Sequence, residues 1–148
     1  MKIVGCIALV VILATACGTF STSKTTPTEN DGFHLGEPFE LGYKDKATIR
    51  DVNLNIQFDE ILEDSRCPSK VNCVWSGLAQ VGISVWFDGS QSNHLVLATA
   101  NIPPDNSSLY SYQGYQMELK ALEPYPEYPG EVVDKNSYRL TLIVTKEF

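Results

Sequence analysis

Val52, Leu54, Ile56 and Phe58 alternate with Asn53, Asn55 and Gln57. Successive side chains of a strand leave on opposite faces, so a period of two marks a strand with one buried and one wetted face; an amphipathic helix would repeat every 3.6 residues instead. The same period governs Phe39, Leu41 and Tyr43, and again Ala79, Val81, Ile83, Val85 and Phe87. The latter run stops at Asp88-Gly89, a dipeptide suited to a tight hairpin because both positions tolerate positive φ. The chain then returns through His94 to Thr99, which predicts an adjacent antiparallel strand. A loop rich in Pro, Asn and Ser follows (Pro103-Pro104-Asp105-Asn106-Ser107-Ser108). Beyond it come Tyr115, Met117 and Leu119, a proline segment from Glu123 to Gly130, and finally Tyr138, Leu140, Leu142 and Val144. No helix-period segment of useful length lies outside the N-terminal apolar stretch. The expectation is an all-β domain of about six or seven strands in an antiparallel two-sheet β-sandwich, Ig-like in general architecture, with a small open barrel as the alternative.

The N-terminus has a different logic. Met1 and Lys2 precede an apolar run, Ile3 to Leu13, and then Ala14, Thr15, Ala16 and Cys17. A positive start, an apolar segment shorter than the ~20 residues a membrane span needs, and small residues before a cleavage point make residues 1–16 a signal peptide. Leu13-Ala14-Thr15-Ala16-Cys17 resembles the lipobox of bacterial lipoproteins, in which the cysteine receives diacylglycerol and becomes the mature N-terminus. Ala14-Thr15-Ala16 also fits the A-x-A site of ordinary secretion. Cysteine arithmetic bears on the choice: cleavage removes Cys6 and leaves Cys17, Cys67 and Cys73, an odd number in a compartment where thiols pair. Lipidation of Cys17 accounts for the odd one.

Residues 17–32, rich in Ser, Thr, Lys, Pro, Asn and Asp, read as a lipid-anchored flexible tether, and residues 33–148 as the domain. The formal net charge of −7 and the lack of any Lys/Arg cluster argue against nucleic acid as a partner. Gly18 stands where many inner-membrane lipoproteins carry Asp, which points to the outer membrane in an organism that has one.

The most individual stretch is Glu63-Asp64-Ser65-Arg66-Cys67-Pro68-Ser69-Lys70-Val71-Asn72-Cys73-Val74-Trp75-Ser76-Gly77. Cys67 and Cys73 have five residues between them, enough for the chain to turn back and bring the sulfurs together, and a structural disulfide is expected. Trp75 lies two places after Cys73; if both are extended, its indole leaves the same face and covers the bridge. The sharper alternative makes Trp75 a ligand platform. Arg66 stands amid Asp59, Glu63 and Asp64 and is expected to fork onto one of these carboxylates, the alternative being presentation to an acidic partner. The segment resembles the signature of a family of uncharacterised bacterial lipoproteins: D-S-R-C-P, a short spacer, C-x-W, then a small residue and Gly. Pro124-Tyr125-Pro126 matches a second feature of that family. The resemblance spans most of the mature domain and implies fold and location, not an activity.

Sets of residues that carry chemistry are weak. Glu60, Glu63 and Asp64 would have to converge in a concave pocket, with Arg66, to act as an acid–base site; a solvated acidic face is the ordinary use of such residues. His34 and His94 fall in unrelated contexts, and no metal set, nucleophile motif or phosphate loop accompanies them. No cofactor is expected. Tyr125 and Tyr128, in the stiff run Glu123-Pro124-Tyr125-Pro126-Glu127-Tyr128-Pro129, and Tyr110, Tyr112 and Tyr115 either cover the open ends of the sandwich or form contact surfaces. Arg66, Trp75, Tyr125 and Tyr128 are therefore the candidate binding residues. The expected function is a membrane-anchored, extracytoplasmic, non-catalytic binding or envelope-assembly module with a protein or polysaccharide ligand. The alternatives are an exported protease-inhibitor-like β-sandwich and an enzyme built on the acidic residues near Cys67.

Overall fold

The computed structural model describes residues 32–102 and 106–148. The expected signal segment, Cys17 and all of the expected tether but Gly32 lie outside the described residues. Among the described residues eight strands form: β1 (Pro38–Gly42), β2 (Lys46–Ile49), β3 (Leu54–Asp64), β4 (Ala79–Phe87), β5 (Asn93–Ala98), β6 (Leu109–Tyr112), β7 (Tyr115–Glu123) and β8 (Arg139–Lys146). They make two four-stranded antiparallel sheets, ordered β2-β3-β4-β5 and β1-β8-β7-β6, and the alternating apolar residues of both meet in one core. This is the expected sandwich. The strands beyond the expected count are β2 and β6, each four residues long at a sheet edge. So short a strand shows at most two positions of its period, and β6 buries none of its side chains fully.

Inward positions are those the period selects. Leu54, Ile56 and Phe58 of β3, Val81, Ile83 and Val85 of β4, and Leu140, Leu142 and Val144 of β8 are fully buried. Val52, by contrast, falls in the turn before β3, where it packs on the core as a half-buried residue. Bulges in β3, between Phe58 and Glu60 and between Ile61 and Glu63, break the strict alternation. Each inserts a residue that bends the strand and re-aims the side chains beyond it.

The connectivity is simpler than the Greek key of immunoglobulin domains. β2 to β5 form a meander in one sheet, β6 to β8 a meander in the other, and β1 pairs with β8. The two ends of the sandwich therefore differ. At one, here termed the turn pole, β2–β3, β4–β5 and β6–β7 are joined by short turns. At the other, the loop pole, β3–β4 and β7–β8 are joined by the long segments 65–78 and 124–138. The chain enters beside β2, with Phe33 N–H donating to Thr48 O (3.1 Å) and Arg50 N–H donating to Phe33 O (2.9 Å), in the turn-pole half.

Candidate functional site

The loop pole poses a local problem. Two irregular segments carry many backbone polar groups with no sheet neighbour, and buried groups of that kind need partners. Arg66 supplies them. Its side chain is buried, with 6% of the residue's surface exposed. Nε donates to Asp64 Oδ1 (2.8 Å) and Nη2 to Asp64 Oδ2 (2.7 Å). The same guanidinium crosses to the end of β7 and the long segment that follows it, donating from Nη1 to Leu122 O (2.5 Å) and from Nη2 to Pro124 O (2.9 Å). The Tyr125 ring lies over it, 4.7 Å from ring centroid to guanidinium carbon. A planar fork with fixed donors suits this task, because it can hold a carboxylate on one side and carbonyls on the other.

Asp64 is completed from a third direction by Tyr138, whose hydroxyl donates to Oδ2 (2.8 Å). Burial alone would raise the Asp64 pKa, but the hydrogen bonds from Arg66 and Tyr138 outweigh it and hold the carboxyl below its ordinary value. Burial and the neighbouring carboxylate push the Tyr138 hydroxyl up to about 12. Asp64, Arg66 and Tyr138 thus form a charged, hydrogen-bonded clamp beneath the loop pole. Tyr138 was legible in sequence only as an apolar strand residue; the signal of its second role is a hydroxyl at a core position, which must find a partner.

Above the clamp the first loop closes on itself, with Cys67 N–H donating to Ser76 O (2.7 Å), and is tied to the second by Ser69 N–H donating to Pro126 O (3.0 Å) and Lys70 N–H to Glu127 O (3.1 Å). Cys67 and Cys73 form the expected disulfide, with a Cα–Cα distance of 5.9 Å. Gly77, at φ +66°, turns the chain back so closely that a Cβ there would overlap the Ser65 carbonyl. This gives the Gly of the C-x-W-x-G motif its physical reason.

The structure corrects two expectations about the candidate residues. Trp75 does not lie buried against the bridge: it is 57% exposed. Residues 71–78 are bends and coil, with β4 starting only at Ala79, so the same-face rule for extended residues does not apply between Cys73 and Trp75. Arg66 is no surface residue, because the clamp takes up its charge and its fork. It pairs with Asp64, not with Glu63 or Asp59. Val71 and Val74 are exposed on the same loop as Trp75, and Tyr125, Tyr128 and Val132 on the neighbouring one. The loop pole is therefore a rigid base carrying exposed apolar side chains.

The acidic residues do not act as one set. Glu60 faces His94 (3.4 Å) on the outer face of its sheet, Asp59 accepts from Ser84 Oγ (2.6 Å), Glu63 is exposed and Asp64 belongs to the clamp. The β3 bulges account for the dispersal. His34 sits near the turn pole, with Nδ1 3.0 Å from Asp51 Oδ1. Tyr112 and Tyr115 cover that same end, packing on Phe87 with centroid distances of 6.0 and 5.8 Å. Comparison of the chain with protein-family models, with curated proteins and with solved structures finds no match, so its own geometry carries the functional reading.

Proposed function

We propose that this chain is a lipid-anchored, extracytoplasmic envelope protein whose domain binds a macromolecular partner through the loop pole, without catalysing a reaction. The observation that carries the reading is Trp75: a large aromatic ring exposed on backbone that a disulfide and a buried arginine hold in place. Exposed aromatic and aliphatic side chains grouped on a fixed surface mark contact sites, since their ordering cost is met before the partner arrives. Attachment fits the same picture. The signal segment, the lipobox-like run before Cys17 and the pairing of the other mature cysteines support lipidation of Cys17, on the outer membrane where the cell has one. The domain joins its tether in the turn-pole half, which leaves the loop pole free.

Two experiments test this. Cys17→Ser should release the protein from the membrane fraction; retention there, with cleavage unchanged, would remove the anchor from the reading. Cross-linking in intact cells followed by affinity purification should recover one dominant envelope component from the parent chain and lose it from the Trp75→Ala/Tyr128→Ala double variant. Recovery of the same component at equal yield would sink the loop-pole assignment.

The closed Cys67–Cys73 loop also favours a second reading, an exported protease inhibitor, because such inhibitors present a conformationally locked segment. A panel of proteases decides it: no inhibition at roughly micromolar protein removes this reading.

A further inference from the structure

The second tryptophan lies far from the loop pole. In β4, Val81, Ile83 and Val85 enter the core, so Gly82, Ser84 and Trp86 face outward. Strand register places Asn55 beside Trp86, and sets Lys46, Gln57, Ser84 and His94 in one row across all four strands of that sheet. Gln57, Ser84 and Trp86, with Ser90 and Ser92 from the β4–β5 turn, line an open depression of about 360 Å³. That is the size at which small-ligand sites begin.

The residues in and beside this depression are held by hydrogen bonds. Asn55 is nearly inaccessible; it accepts from Thr48 Oγ1 (2.9 Å) and donates to Asp88 Oδ1 (2.8 Å) and to Trp86 O (3.5 Å). Ser90 Oγ accepts from Phe87 N–H (3.0 Å) and donates to Phe87 O (2.8 Å), which locks the turn. Ser84 is held by Asp59. The Gln57 amide, the Ser92 hydroxyl and the Trp86 indole N–H, all at least partly exposed, make no side-chain hydrogen bond among the described residues. Lys46 Nζ lies over one face of the Trp86 ring, 4.9 Å from its centroid, so a stacking ligand must use the other face or displace the ammonium.

The chemistry selects a ligand class. Asp59, bonded to the lining Ser84, and Asp88, bonded to Asn55, flank the depression, while the ammoniums of Lys44, on the Asp59 backbone carbonyl, and Lys46 offset them, so the local charge is near balance and an anionic ligand gains no net attraction. A purely apolar ligand would strand the Gln57 amide and the Ser92 hydroxyl. An uncharged saccharide satisfies both conditions, since its C–H face stacks on an aromatic ring while its hydroxyls pair with an amide and a hydroxyl. We propose that the outer face of the β2-β3-β4-β5 sheet binds an uncharged oligosaccharide, with Trp86 as the stacking platform and Gln57 and Ser92 as its hydrogen-bonding groups. The site is separate from the loop pole, and either assignment can fail without the other.

The test uses the full-length chain with Trp75→Phe, which leaves Trp86 as the sole tryptophan, in a sugar-free zwitterionic detergent. Titration with chitotetraose and cellotetraose should change Trp86 emission saturably for at least one of them, with a Kd on the order of 1 mM or tighter. Trp86→Ala, followed by calorimetry, should weaken binding at least about tenfold, and Gln57→Ala about fivefold. Ser92→Ala, exposed and harmless to the fold, provides a second reading should Trp86→Ala disturb folding by circular dichroism. A uronate tetrasaccharide should bind no more tightly than the uncharged ones. Absence of saturable binding up to about 10 mM, or undiminished binding by folded Trp86→Ala and Ser92→Ala variants, overturns the proposal.

Discussion

The two poles of the sandwich solve the same problem differently. At the turn pole the chain reverses within a few residues, and the turns satisfy themselves with local bonds such as those of Ser90 to Phe87. At the loop pole the chain wanders, and a buried ion pair, a disulfide and a packed glycine are needed to hold it. A long connection exposes more backbone and loses more conformational entropy on ordering, so it survives in one conformation only with interactions that reach across to other elements. The result is that the loop pole presents Trp75 and Tyr128 on a stiff base, whereas the turn pole half-buries Tyr112 and Tyr115 against Phe87.

This contrast can be broken. Arg66→Met should produce the largest loss, about 4 kcal/mol by urea denaturation, since it leaves the Asp64 carboxylate and the Leu122 and Pro124 carbonyls without their donor. Arg66→Lys should recover only part of the loss, because an ammonium cannot fork. A paired substitution compares the poles directly. Gly77→Ala, which drives a Cβ into the Ser65 carbonyl, should cost about 3 kcal/mol. Gly89→Ala at the turn pole has open space around it and only its φ of +78° to oppose it, and should cost about 1 kcal/mol. Equal effects would show that the loop pole is no more tightly built than the turn pole.

Smaller effects sharpen the comparison. Reducing the disulfide, or making Cys67→Ser/Cys73→Ser, should lower stability by about 2 kcal/mol through the entropy of so short a loop. The clamp also predicts a pH dependence. The Asp64 pKa is lowered on folding, so its contribution is complete above the ordinary 3.8 and is lost as pH falls through the lower folded value. The Tyr138 pKa is raised from 10.0 to about 12, so its contribution is complete below 10 and is lost as pH rises toward 12. Urea midpoints measured against pH should show both arms; Asp64→Asn should abolish the acid arm, and an unchanged acid arm would remove Asp64 from the clamp. At the turn pole the exposed His34–Asp51 pair should do least. The Asp51 hydrogen bond and charge raise the His34 pKa above 6.5, which NMR titration should detect, and Asp51→Asn should bring it back with no change in the urea midpoint.

The strands that build the core were readable because each announces itself within a few consecutive residues: Val81, Ile83 and Val85 carry their face in their spacing. β2 and β6 were not readable, since four edge residues hold too little of the period. The Cys67–Cys73 bridge followed from counting thiols. The clamp divides along the same line. That Arg66 would fork onto a nearby carboxylate was legible, because Asp64 is two residues away. That the guanidinium also holds Leu122 and Pro124, 56 and 58 residues along the chain, was not.

What the sequence determined by itself is therefore the local grammar: period-two strands, the hairpin turn at Asp88-Gly89 and the covalent bridge. The tertiary structure alone decided which carboxylate Arg66 takes, that Tyr138 completes it, and that Trp75 stands in solvent while the arginine disappears. Periodicity is written in neighbouring residues, whereas burial and partnership depend on how two sheets bring distant segments together, and that is a property of the whole fold.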